Sequence, residues 1–98
     1  MDLAAEGSAK LLYEEISKRK LHVDVLINNA GFATKGLFHK TDYKRQHEEM
    51  LLNIVSLTEL TYLLLEDMCQ KRHGTVINIA SAASFNPLPY SAVYAATK

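Results

Sequence analysis

Cysteine is nearly absent: Cys69 stands alone in 98 residues, so no intramolecular disulfide can form. Set in a helical stretch, it reads as a half-buried small side chain rather than a reactive thiol. Neither sign of charge is in excess, because eleven Lys and Arg balance eleven Asp and Glu. That removes the basic stripe which nucleic acid requires, and nucleic-acid partners are not expected. His22, His39, His47 and His73 have no metal-ligand spacing, so no metal site is expected. No run approaches the roughly 18 apolar residues of a membrane span, and the opening Met-Asp-Leu is not a basic segment leading into an apolar one. Membrane association is therefore not expected, and a reducing, cytoplasmic setting is the default. Glycine is sparse as well. Gly7, Gly31, Gly36 and Gly74 are scattered and form no G-x-x-x-G-x-G turn of the kind that seats a pyrophosphate at a helix start.

What the chain does have is hydrophobic patterning. Its 48% hydrophobic share suits one small globular domain at most. The spacing predicts a helix over Gly7–Lys20, with Ala9, Leu12 and Ile16 on its buried face and Ser8 as a cap. VDVLINNAG, Val23 to Gly31, reads as a strand apolar on both faces, which suggests a parallel strand covered by helices. It ends in Asn28-Asn29-Ala30-Gly31, small and amide residues suited to a tight turn. After a loop over Phe32–Lys40, a long helix is expected over Thr41–Arg72, capped by Thr41 or Asp42. Met50, Ile54, Leu57, Thr61, Leu64 and Met68 mark its expected buried stripe. Asn53, one position before that stripe, is a poor helix former in mid-helix and invites a local backbone distortion. His73-Gly74 would end the helix, and Thr75–Ala80 gives a second apolar strand. A last helix would open on Tyr94. Alternating helices and strands place the chain in the α/β class, as part of a doubly wound parallel sheet. In such sheets ligands bind beyond the carboxyl ends of the strands, where Asn28–Gly31 and Ser81–Ser84 both fall.

Tyr94 and Lys98 stand at i and i+4 and so share one helix face. An ammonium one turn from a phenol favours the phenolate, which fits the tyrosine for acid/base work near neutral pH. A serine from a strand end could hydrogen-bond a substrate oxygen as charge develops on it. This trio suits proton transfer at an alcohol or carbonyl, with the hydride coming from a cofactor.

NNAG at Asn28–Gly31, Asn53 inside the long helix, INIAS ending in Ser81 and YAATK at Tyr94–Lys98 occur together and in order. So does the thirteen-residue step from Ser81 to Tyr94. In these features the chain resembles the short-chain dehydrogenase/reductase family over essentially its whole length. The resemblance implies a Rossmann-type α/β fold and an oxidoreductase that interconverts an alcohol and a carbonyl with NAD or NADP. It implies Tyr94 as catalytic acid/base, Lys98 as its partner and a ribose ligand, and Ser81 on the substrate oxygen, with Ser84 as runner-up. Asn53 would hold a relay water through its distorted backbone. Asn29, Ala30 and Gly31 would lie along the cofactor, with Asp2 and Leu3 near the adenine. The resemblance further implies a homo-oligomer assembled through the 41–72 helix. Residues 1–98 would form part of an NAD(P)-binding Rossmann domain in a protein of more than twice this length. Without a glycine-rich phosphate turn, these residues alone are expected to bind cofactor weakly and turn over little. A non-catalytic association module using the long helix is the alternative.

Overall fold

Two four-residue strands rich in branched apolar side chains pair side by side in parallel: β1, Val25–Asn28, and β2, Thr75–Asn78. Their register is Val25↔Thr75, Leu26↔Val76, Ile27↔Ile77 and Asn28↔Asn78, so both chains leave the sheet at the same end. The pairing extends at either end, with Thr75 N–H donating to Asp24 O at 2.9 Å and Ile79 N–H to Asn28 O at 3.0 Å. Parallel neighbours need a long crossover, and here it is a nearly continuous helix. In this computed structural model, which describes residues 1–98, that helix has three parts: α2 (Tyr43–Met50), a π-helical segment (Leu51–Ser56) and α3 (Leu57–Lys71). Asp42 caps its start, its carboxylate accepting from Lys44 N–H at 3.1 Å. The expected distortion around Asn53 is therefore present, as a π turn in the middle of the helix.

Helix α1, Ser8–Lys18, lies against α3. Ala9, Leu26, Leu60, Leu64 and Met68 form the core, with Leu12, Tyr13, Ile16, Val23 and Val76 packed around them. Only one sheet face is covered. Leu26 and Asn28 are buried, whereas Val25, Ile27 and Ile77 on the sheet are exposed. The strand expected to be buried on both faces is thus buried on one, because α1 and α3 supply a single covering layer. The Cα extents are 46 × 25 × 14 Å and the radius of gyration is 15.2 Å, against about 13 Å for a compact chain of about 100 residues.

Several local expectations need correction. Helix α1 is capped by Gly7 in the left-handed region (φ 72°), and Ser8 is a buried first-turn residue, not the cap. The long helix does end at Arg72 as expected, but the left-handed capping residue is Arg72 itself (φ 51°), with His73 N–H closing back to Met68 O at 3.1 Å, rather than Gly74. The last helix, α4, runs over Ala92–Thr97, so Tyr94 lies in its first turn and does not open it. Cys69 is exposed. The buried stripe of the long helix matches expectation at Leu64 and Met68 but runs one position earlier before them: Glu49, Asn53, Ser56 and Leu60 face inward in place of Met50, Ile54, Leu57 and Thr61, and Ile54 faces out.

A core this thin makes position decisive. Leu64→Ala removes a side chain only 4% exposed and is expected to cost about 2–4 kcal/mol. Leu65→Ala, one residue on and 43% exposed, is expected to cost under about 1 kcal/mol. Urea denaturation of both variants checks the contrast.

Candidate active site

The carboxyl end of the sheet is built around one amide. Asn53, on the π turn and 3% exposed, donates from Nδ2 to Phe32 O and to Thr97 Oγ1, each at 3.0 Å. Its Oδ1 accepts from Phe32 N–H at 3.3 Å. One side chain therefore ties the segment leaving β1 to the end of α4. Thr97 continues the chain of bonds, its Oγ1–H donating to Tyr94 O at 2.8 Å. Each amide hydrogen of Asn53 is engaged, so its side chain acts here as a clasp.

Lys98 closes the same corner. Its Nζ donates to Ile79 O at 2.9 Å, just past the end of β2, and two of its three donor positions remain. Gly31 passes between these groups. A Cβ built there would stand 2.9 Å from Asn53 Oδ1 and 3.6 Å from Lys98 Nζ, so only a bare Cα fits. Asn53, Asn78, Ile79, Ala80, Thr97 and Lys98 line one cavity beyond the strand ends. Leu3, Asn29 and Ala30 line a neighbouring one, and Leu57 borders both. Leu3 is held in place by Ser56, whose hydroxyl donates to Leu3 O at 2.7 Å. Asp2 turns back locally, its carboxylate accepting from Ala4 N–H at 2.9 Å.

Ser81 and Tyr94 belong to two packed elements. Ser81 caps a short 3₁₀ turn, Ala82–Ser84, which packs on α4. Its Oγ accepts from Ala83 N–H at 3.2 Å, which leaves its own hydroxyl hydrogen to donate. Ser84 Oγ folds back to accept from Ser81 N–H at 3.4 Å. Tyr94 and Ser81 are both half-buried, and neither lines the two cavities described above.

Sequence reasoning missed Thr97, which shares Asn53, and a second amide cluster. Asn28 Nδ2 donates to Asn78 Oδ1 at 2.8 Å and to Thr61 Oγ1 at 2.9 Å. The signal for that cluster was available: each strand ends in Ile-Asn, and in-register parallel pairing sets the two asparagines opposite each other. Thr97 had no such signal.

The sequence profile described as short chain dehydrogenase matches residues 1–98. The ketoacyl reductase HetN of Nostoc sp. is 37% identical over 76 residues, covering 78% of this chain and 26% of that protein. Dehydrogenase/reductase SDR family member 7B of Bos taurus is 37% identical over 97 residues, covering 99% of this chain and 30% of that protein. The chain thus spans less than a third of the length of these relatives. Among solved structures, a gluconate 5-dehydrogenase from Burkholderia cenocepacia in complex with NADP and tartrate superposes with a TM-score of 0.86 at 28% identity. It covers all of this chain and 38% of the other. A 4-hydroxyisoleucine dehydrogenase complexed with NADH shares the fold at a TM-score of 0.91 and 24% identity, covering 99% of this chain and 40% of the other.

The tight passage of Gly31 gives a direct test of the clasp. Gly31→Ala is expected to destabilise by about 1–3 kcal/mol, because Asn53 is held by three bonds and cannot yield. In an Asn53→Ala background the added methyl has room. Thermal unfolding of the double-mutant cycle should then show clear non-additivity.

Proposed function

The chain belongs to the short-chain dehydrogenase family, and on that footing we propose that it forms part of an NAD(P)-binding domain in an oxidoreductase interconverting an alcohol and a carbonyl. The observation that carries this reading is the corner at which Asn53 clasps Phe32 to Thr97 while Lys98, beside Gly31, rests on Ile79 O. It joins the NNAG turn, the Asn-bearing helix and the Tyr94–Lys98 helix at one end of the sheet.

NAD or NADP fits the residues present, because the two free donors of Lys98 and the cavity lined by Asn53, Asn78 and Ile79 offer polarity and room for a ribose and its ring. The related gluconate 5-dehydrogenase, crystallised with NADP, supports the same choice. When bound, the nicotinamide supplies hydride chemistry that protein side chains cannot. Asn29, Ala30 and Gly31 would lie along it, with Leu3 and Asp2 on the adenine side. Lys98 would hold ribose hydroxyls with its two remaining donors. The pyrophosphate finds no glycine-rich turn among residues 1–98, so these residues by themselves are expected to bind weakly.

Tyr94 O–H would give its proton to the substrate oxygen in reduction and take one in oxidation. Ser81, with its hydroxyl hydrogen free, would donate to the same oxygen and stabilise charge developing there. Asn53 contributes differently. Its side chain is committed to Phe32 and Thr97, so any relay water would rest on its backbone carbonyl, and the π turn around it supports that role. No helix is long and apolar enough to cross a membrane, and a cytoplasmic setting is part of the reading. So is self-association through the outer face of the long helix, where Ile54, Val55, Tyr62 and Leu65 are exposed. That strip is also what would favour a purely associative module.

Tyr94→Phe in the full-length protein decides between catalysis and association. NAD(P)H-dependent reduction of a carbonyl substrate, followed by absorbance, is expected to fall at least about 100-fold in kcat, with cofactor affinity kept. Full activity in that variant would remove the tyrosine from the mechanism.

A further inference from the structure

Glu49 is the one large side chain of this chain that is completely buried, and it is a carboxylate. It lies on α2 one turn before Asn53, on the same helix face. Its Oε2 accepts both donors of Thr34: the N–H at 3.0 Å and the hydroxyl. Asn53 meanwhile holds Phe32 by N–H and C=O. Two polar heads a helical turn apart therefore grip alternate residues of the segment that leaves β1. The segment is laid along the helix like a strap fastened at two points.

The fastening at Glu49 is costly. Its Oε1 is buried with no hydrogen-bond partner, and leaving a buried acceptor unpaired is unfavourable. We infer that Glu49 is a positioning residue for the cofactor-facing turn: by gripping Thr34 it fixes the Phe32–Thr34 strap, and so holds Gly31 at its height between Asn53 and Lys98. This rests on the reading above, in which Asn29–Gly31 lie along NAD(P).

The test uses the full-length protein with three variants, Thr34→Val, Thr34→Ser and Glu49→Gln. Thr34→Val removes the hydroxyl while Glu49 stays in place, so a folding failure of Glu49→Gln does not remove the test. NADPH and NADH affinity is measured by nicotinamide fluorescence, amide hydrogen exchange is followed at residues 32–34, and steady-state constants are determined. Thr34→Val is expected to weaken cofactor binding about tenfold, through loss of the hydroxyl bond to Glu49. It should speed exchange at residues 32–34 and leave kcat at saturating cofactor and the substrate KM within about twofold. Thr34→Ser should restore wild-type affinity. Glu49→Gln keeps a side-chain oxygen able to accept from Thr34, so Glu49→Gln/Thr34→Val should bind about as weakly as Thr34→Val. If the wild type binds cofactor and Thr34→Val binds it equally well, or Thr34→Ser does not rescue, the inference is overturned. If the wild type binds neither NADPH nor NADH, the oxidoreductase reading falls first, and the exchange data still report whether Glu49 and Thr34 fasten the strap.

Discussion

The amide of Asn53 is the joint on which this structure depends. Three separate pieces of chain meet there: the segment leaving β1, the centre of the crossover helix and the end of α4. The buried hydrophobic core lies elsewhere, between α1, α3 and the sheet, whereas at this corner the three pieces are tied by directional hydrogen bonds. A buried amide satisfied on both of its sides is directional in a way that a leucine is not. It fixes the height of the turn and the rotation of the last helix together. Whatever chemistry the corner performs inherits its geometry from that side chain together with the holds of Glu49 on Thr34 and Lys98 on Ile79.

The fold was legible because hydrophobic periodicity reports backbone type well. Val25-Leu26-Ile27 and Val76-Ile77 read as strands, and the stretch between them as one long helix, because apolar residues must find cover. The parallel pairing followed from the βαβ order, and its register came only with the structure. The π turn was legible only indirectly, through an asparagine where a helix former belongs. Its bounds, Leu51–Ser56, were not, because the exposed Ile54 and Val55 give no hint of the wider turn.

The buried stripe of the helix was misread for a related reason. In its first half the inward side chains are Glu49, Asn53 and Ser56, each spent on holding a loop or a neighbouring segment rather than filling a core. A search for apolar residues passes over such a stripe and settles on the Met50 and Ile54 beside it. Only at Leu64 and Met68, well inside the true core, did hydrophobicity report the inward face. The candidate site was legible as a set of spaced motifs. The Thr97 link was hidden because threonine in a terminal helical turn ordinarily means nothing, and the Thr34–Glu49 grip because a charged residue on a helix ordinarily faces water.

The flatness of the molecule has a thermodynamic meaning. A slab 14 Å thick is about one helix laid on one sheet, so few side chains have neighbours on every side. Unfolding then uncovers little apolar surface that was not already wet. The heat-capacity increment and the denaturant slope both scale with newly uncovered surface. The free-energy curve of these residues is therefore expected to be shallow in temperature and in denaturant, with gradual melting. Sharpness of the transition, more than its midpoint, is the quantity through which added layers on the bare face of the sheet would announce themselves.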